Sequence, residues 1–139
     1  MRVMDDASLR FVGRVRSELR DLKGAPRQGS EGAPDAWLEL DEAWALAVEG
    51  VAAGDDLVVV TWLDRADRSV LQTHPRNDRS LPLTGVFATR SPDRPNPLGL
   101  HRVTVRSIDG TRLRVGPLEA VDGTPIVDLK PVLSDSNDA

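Results

Sequence analysis

From Asp56 onward the chain breaks into short β-type runs, D-L-V-V-V-T-W-L, G-V-F-A-T, L-H-R-V-T-V-R-S-I, T-R-L-R-V and T-P-I-V-D-L-K. Glycine and proline stand between them, and the Asp109-Gly110 and Asp122-Gly123 pairs are turn signals, because glycine enters left-handed backbone without steric penalty. D-L-V-V-V-T-W-L is unbroken and β-branched, which predicts a central strand buried on both faces. Upstream, R-F-V-G-R-V-R alternates, with Phe11, Gly13 and Val15 on one side, and A-W-L-E-L follows as a second strand. One helix is expected, in D-E-A-W-A-L-A-V-E-G-V, with Asp41 as N-cap and Gly50 near its end. Residues 21–35 form a long glycine- and proline-bearing loop, and the acidic tail S-D-S-N-D-A frays. Many short strands and one helix predict a mainly β fold, a small antiparallel barrel with long loops, since closure removes sheet edges.

The 139 residues fit one domain, 1–139, with its core at about 9–133 and frayed termini. No apolar run approaches the ~20 residues that cross a bilayer, and M-R-V-M-D-D-A lacks an export signal, so the expected location is cytoplasmic, with no membrane partner. There is no cysteine, hence no disulfide, no thiolate nucleophile and no sulfur ligand. His74 and His101 are too few for a metal site, and none is expected. Neither G-x-G-x-x-G nor G-x-x-x-x-G-K-[ST] occurs, so dinucleotide and triphosphate folds find no support. A net charge of -4 argues against nucleic-acid attraction over the whole surface and leaves room for a local basic patch. Lys23 and Lys130 are the only lysines, so nearly all positive charge is arginine, the side chain suited to paired hydrogen bonds with carboxylate or phosphate.

Within T-R-S-P-D-R-P-N-P-L-G-L, Pro92, Pro95 and Pro97 fix φ and remove amide donors. The segment must run over the surface in a stiff path, holding Arg90, Ser91, Asp93, Arg94 and Asn96 on a rail. Such a rail meets an anionic ligand without the ordering cost of ~1 kcal/mol per residue that a floppy loop incurs. The plain alternative is a stiff connector whose arginines pair with nearby acids. Asp128 and Lys130, two apart on a strand, share a face as a ligand-facing or merely structural ion pair. A-P-R-Q-G-S-E-G, in the long loop, is either a ligand-contacting loop or an unstructured one.

Taken together, P-R-Q-G at 26–29, H-P-R at 74–76, G-V-F-A-T-R-S-P-D-R-P-N-P-L-G-L at 85–100 and V-D-G-T-P-I-V-D-L-K-P at 121–131 resemble the TsaA-like family, which includes the tRNA methyltransferase O group. The resemblance runs from Gly13 to Pro131 and is to compact members without a C-terminal extension. It implies a β-barrel that works as a homodimer and binds S-adenosyl-L-methionine. Carried over by position, the cofactor contacts are Pro26, Arg27, Gln28, Asp64, Arg65, Arg90, Leu100, Leu118, Glu119, Ala120 and Val121. The implied activity is N6-methylation of threonylcarbamoyladenosine beside the tRNA anticodon. The alternatives are methylation of a small molecule or another RNA site, or a non-catalytic sensor of the cofactor. In the expected mechanism Arg90 or Arg27 pairs with the methionine carboxylate, and main-chain groups of Leu118 to Val121 grip the adenine. Arg94 and Asn96 steer the acceptor, Arg76 and Lys130 help bind it, and Asp122 or Asp128 is the base. Arg76, Arg79, Arg90, Arg94 and Arg102 are the expected basic patch. The chain departs from the family pattern at Asp64-Arg65, often His-Gln, at His101 in G-L-H for G-L-S, and at Val132 in K-P-V for K-P-Y.

Overall fold

The computed structural model describes residues 6–21 and 32–133. Its strands are β1 (Gly13–Arg16), β2 (Ala36–Leu40), β3 (Asp56–Trp62), β4 (Gln72–Thr73), β5 (Thr84–Gly85), β6 (Leu98–Asp109), β7 (Arg112–Gly116) and β8 (Pro125–Pro131). All but β4 and β5 close into a barrel in the order β1-β2-β7-β6-β3-β8, each pairing antiparallel, while β4 and β5 form a separate two-stranded sheet. The twelve-residue β6 serves two neighbours, pairing with β3 through Leu98–Thr104 and with β7 through Thr104–Asp109.

Alternation decides what lies inside. Val15, Leu38, Leu57, Val59, Val103, Val105, Leu113, Val115 and Ile126 point inward and are buried. Each such side chain contributes about 1.5–3 kcal/mol relative to exposure. The β-branched run around Val59 is therefore not buried on both faces, as its composition suggested. Leu57, Val59 and Thr61 are buried and Val58, Val60 and Trp62 half-buried, because a barrel wall has only one inner face. Phe11 also differs from expectation: β1 begins at Gly13, and Phe11 lies 43% exposed with the Arg14 guanidinium 6.0 Å from its ring centroid. G-V-F-A-T is not a full strand either, since β5 ends at Gly85 and Val86–Ala88 turn as a 3₁₀ helix. The expected short helix is a 3₁₀ helix, Glu42–Val48, and Asp41 caps it by accepting from the Ala43 amide at 3.0 Å. Gly110 and Gly123 adopt φ of 62° and 84° at the two predicted turns, where any side chain would be strained. No helix among the described residues is long and apolar enough to cross a membrane.

Antiparallel closure brings the ends of β1, β3 and β7 and the starts of β2, β6 and β8 to one end of the barrel. The long connections 17–35, 63–97 and 117–124 all lie between those strand ends, whereas the opposite end carries the Glu42–Val48 helix and the Gly110 turn. The described ends of these connections are thus gathered at one mouth by topology alone.

Candidate functional site

Connection 117–124 crosses the mouth. Leu118, Ala120 and Val121 are buried, so their side chains plug the barrel and cannot face a ligand. The Leu118 amide donates to Pro34, the Asp122 amide to Leu19, and the Val121 carbonyl accepts from Thr124. Among the described residues, the peptide groups of Glu119 and Ala120 are left without a partner. The Asp122 carboxylate accepts from the Ser17 amide at 3.0 Å and from Arg20 at 3.1 Å, and so fastens the start of the β1–β2 connection to the mouth. Pro26, Arg27 and Gln28 belong to that connection and lie outside the described residues. Beside it opens a cleft of about 520 Å³ bordered by Arg16, Arg20, Asp35, Trp37, Arg114 and Asp122.

A buried polar chain closes the barrel beneath the plug. His101 Nδ1 lies 2.5 Å from Glu119 Oε1, and His101 Nε2 lies 2.7 Å from Thr61 Oγ1. A carboxylate accepts only, so Nδ1 carries the proton, and in the neutral ring Nε2 accepts from the threonine hydroxyl. Carboxylate, imidazole and hydroxyl in this order resemble a nucleophilic triad, but Thr61 is 0% exposed and out of any substrate's reach. The chain acts on Glu119 instead, fixing its carboxylate at the mouth. A Cβ on Gly99 would stand 2.5 Å from Thr61 Oγ1 and 2.7 Å from His101 Nε2, so glycine there makes room for the histidine. His101 appeared in the sequence only as a departure from a family pattern; its partners are 40 and 18 residues away, beyond any local signal.

The proline-bearing segment is held as a rail, by contacts the sequence did not disclose. Arg68 donates to the Pro95 carbonyl at 2.6 Å and to Asn96 Oδ1 at 3.0 Å, and its guanidinium stacks 5.1 Å from the Trp62 ring centroid. Asp93 accepts from the Asp67 amide at 2.8 Å. Arg94 turns back into its own loop and donates to the Thr89 and Ser91 carbonyls. Arg90 alone of these is exposed and has no partner among the described residues. Asp64 and Arg65 follow β3 and are exposed near the same end. Arg76 and Asn77 have φ of 55° and 57°, left-handed for two consecutive residues, in a turn after His74, whose Nδ1 bonds the Leu81 carbonyl at 2.9 Å.

Other expected site residues stand on the outer wall. Leu100 is 51% exposed on β6. Across β3, at Val60, the register brings Leu100 level with Asp128 of β8. Asp128 and Lys130 share that face and pair at 3.3 Å. The Leu100 and Leu118 side chains therefore lie on opposite faces of one wall. Exposed apolar groups continue at Leu98, Leu71 and Phe87, the latter two edging a further cleft of about 390 Å³. Among the described residues no group of His, Cys, Asp and Glu could hold a metal ion.

A closed barrel with the described ends of its long connections at one mouth, and a stiff loop carrying an exposed arginine that is unpaired among the described residues, defines a ligand-binding β-barrel. Residues 14–138 match the model of the tRNA-methyltransferase O N-terminal domain, and the chain belongs to that family. It is 40% identical over 126 residues to the "Probable S-adenosyl-L-methionine-binding protein VirR" of Rhizobium radiobacter, covering 91% of this chain and 71% of that one. It is 38% identical to a "Probable S-adenosyl-L-methionine-binding protein" of Methanothermobacter thermautotrophicus, covering 95% and 96%. The crystal structure of TrmO from Pseudomonas aeruginosa superposes with a TM-score of 0.76 at 26% identity, covering 97% of this chain and 60% of that one. The chain thus spans less than two thirds of that solved structure.

Proposed function

We propose that the chain is a cytoplasmic, S-adenosylmethionine-dependent methyltransferase of tRNA, acting in one domain on N6 of threonylcarbamoyladenosine beside the anticodon. The observation that carries this reading is Arg90: exposed and unpaired among the described residues, on a loop fastened by Arg68 and Asp93 to the mouth end of β3. A guanidinium so placed fits the carboxylate of the cofactor's methionine, and the peptide groups of Glu119 and Ala120, unpartnered among the described residues, fit the edge of its adenine. When bound, the cofactor supplies an electrophilic methyl on a sulfonium. The chain's residues orient donor and acceptor, an effect worth up to about 7–11 kcal/mol in such displacements. Acylation of N6 eases loss of its proton, so a carboxylate of ordinary basicity suffices as base.

The working unit in this reading is a homodimer. Leu100, Asp128 and Lys130 face outward while Leu118 to Val121 close the mouth, so a ligand touching both sets needs the outer wall of a second copy. Val58, Val60, Trp62, Leu98 and Leu100 give that wall an apolar surface suited to association. Asp128 reaches a mouth as base only across such an interface; Asp122 lies at the mouth of its own chain. The relatives' names as binding proteins favour a second reading, a sensor that holds the cofactor without turnover. Calorimetry with S-adenosylmethionine tests the first step. We expect stoichiometric binding, weakened by about 1.5–3 kcal/mol in Arg90→Ala with unchanged melting. No heat at millimolar cofactor would refute the reading, and undiminished affinity in the variant would remove Arg90 from the site.

A further inference from the structure

The outward positions of β1, β2, β7 and the far half of β6 carry an arginine array that the methyl-transfer reading does not use. Arg14 and Arg16 of β1, Arg106 of β6 and Arg112 and Arg114 of β7 stand around Trp37 of the intervening β2. Arg112 lies 4.5 Å and Arg114 5.9 Å from the Trp37 ring centroid. The facing acids are few. Glu39 is shared by Arg16 at 3.0 Å and Arg112 at 3.6 Å, and Asp35 at the border by Arg106 at 3.6 Å and Arg114 at 3.8 Å. Asp109 stands opposite Arg112 in the register, and Arg14 reaches the Gly123 carbonyl at 3.1 Å. In a chain of net charge -4, the five arginines here outnumber the three carboxylates, Glu39, Asp35 and Asp109, named against them.

From this array we propose that the β1-β2-β7 wall is the docking surface for the RNA backbone, leading the acceptor base to the mouth. The inference rests on the tRNA reading above and deepens it. The wall is continuous with the mouth, because Arg16, Trp37 and Arg114 also border its cleft. Arg112 and Arg114, two apart on one strand, are about 6.6 Å apart along it, comparable to the step between successive phosphates of an RNA strand. The arginine ion pairs are about half exposed, and pairs so wet contribute little, so phosphate oxygens displace Glu39 and Asp35 readily. The guanidinium forks then meet phosphates as charge-assisted pairs, and Trp37 offers its ring to a base or ribose. This wall uses none of Arg76, Arg79, Arg90, Arg94 and Arg102, the basic patch expected from the sequence; Arg102 itself sits beside the apolar strip, 3.6 Å from Asp56.

Unfractionated tRNA, titrated against the full chain between about 50 and 200 mM salt, tests the inference. The Arg112→Glu/Arg114→Glu variant is expected to bind tRNA roughly tenfold more weakly at low salt, with the slope of log affinity against log salt shallower by about 1.4–1.8. Its S-adenosylmethionine affinity is expected to match the parent's, while its melting temperature falls slightly, because the pairs with Glu39 and Asp35 are replaced by like-charge contacts. Glu39→Gln moves affinity the other way, tightening tRNA binding severalfold, a gain that a merely structural role for Glu39 would not produce. Parent-like tRNA affinity and slope in the double variant overturn the docking wall while leaving the tRNA reading intact. Absence of tRNA binding by the parent overturns both.

Discussion

The two halves of the barrel wall share one core and present opposite chemistry outside. On β1, β2 and β7 the outward positions are arginines braced by Glu39 and Asp35 around Trp37; on β3 and the near half of β6 they include Val58, Val60, Trp62, Leu98 and Leu100, an apolar strip bordered by the Asp128–Lys130 pair of β8 and the Arg102–Asp56 pair. Inside, both halves contribute the same kind of residue, Leu38 and Val115 from one, Val59 and Val103 from the other. The strand pattern sets the fold through inward positions, leaving outward positions free to differ. One wall is suited to polyanions and the other to a second apolar surface.

The comparison breaks most visibly at Val60, level with both Leu100 and Asp128 in the register. Val60→Glu is expected to convert a dimer of the 15.1 kDa chain to monomer in light scattering, with cofactor affinity reduced by about 2 kcal/mol or more. A dimer of undiminished affinity would show that the apolar wall is not the interface. A smaller effect is expected inside the barrel, where the two walls meet. His101→Ala leaves Thr61 and Glu119 short of a partner and should lower stability by about 1–3 kcal/mol in denaturant titration, whichever wall is occupied. The smallest concerns the connection above the apolar wall. Hydrogen bonds from the Ser69 hydroxyl and amide hold the Asp67 carboxyl below the usual aspartate range, and Ser80 does the same for Asp78. A depressed folded-state pKa gives stability that is present above the unfolded pKa and lost as pH falls through the folded one. Ser69→Ala should therefore melt slightly below the parent at neutral pH and together with it once Asp67 is protonated. A gap that persists in acid would assign the effect to something other than this carboxylate.

The barrel was legible because inward positions alternate and the Asp-Gly turns are local signals. The helix cap at Asp41 was legible for the same reason. The double character of β3 was not: Val58 and Val60 are β-branched whether they face a core or an exposed wall, so composition could not tell a sandwiched strand from one with an apolar outer face. The stiff loop was read from Pro92, Pro95 and Pro97, but Arg68, which fastens it, lies 27 residues before the carbonyl it binds. The arginine wall was invisible for a related reason. Arg14 and Arg16 lie far along the sequence from Arg106, Arg112 and Arg114 and become their neighbours only when β2 pairs with both β1 and β7. The sequence instead grouped the arginines that lie near the proline-bearing loop.

The most direct measurement compares one tRNA carrying threonylcarbamoyladenosine with the same tRNA lacking it, each incubated with the protein and labelled S-adenosylmethionine and read by nucleoside mass spectrometry. A methyl group is expected on N6 of the threonylcarbamoyl nucleoside in the first and none in the second. Bound cofactor with transfer to neither would contradict it, leaving a protein that senses the cofactor or methylates something else.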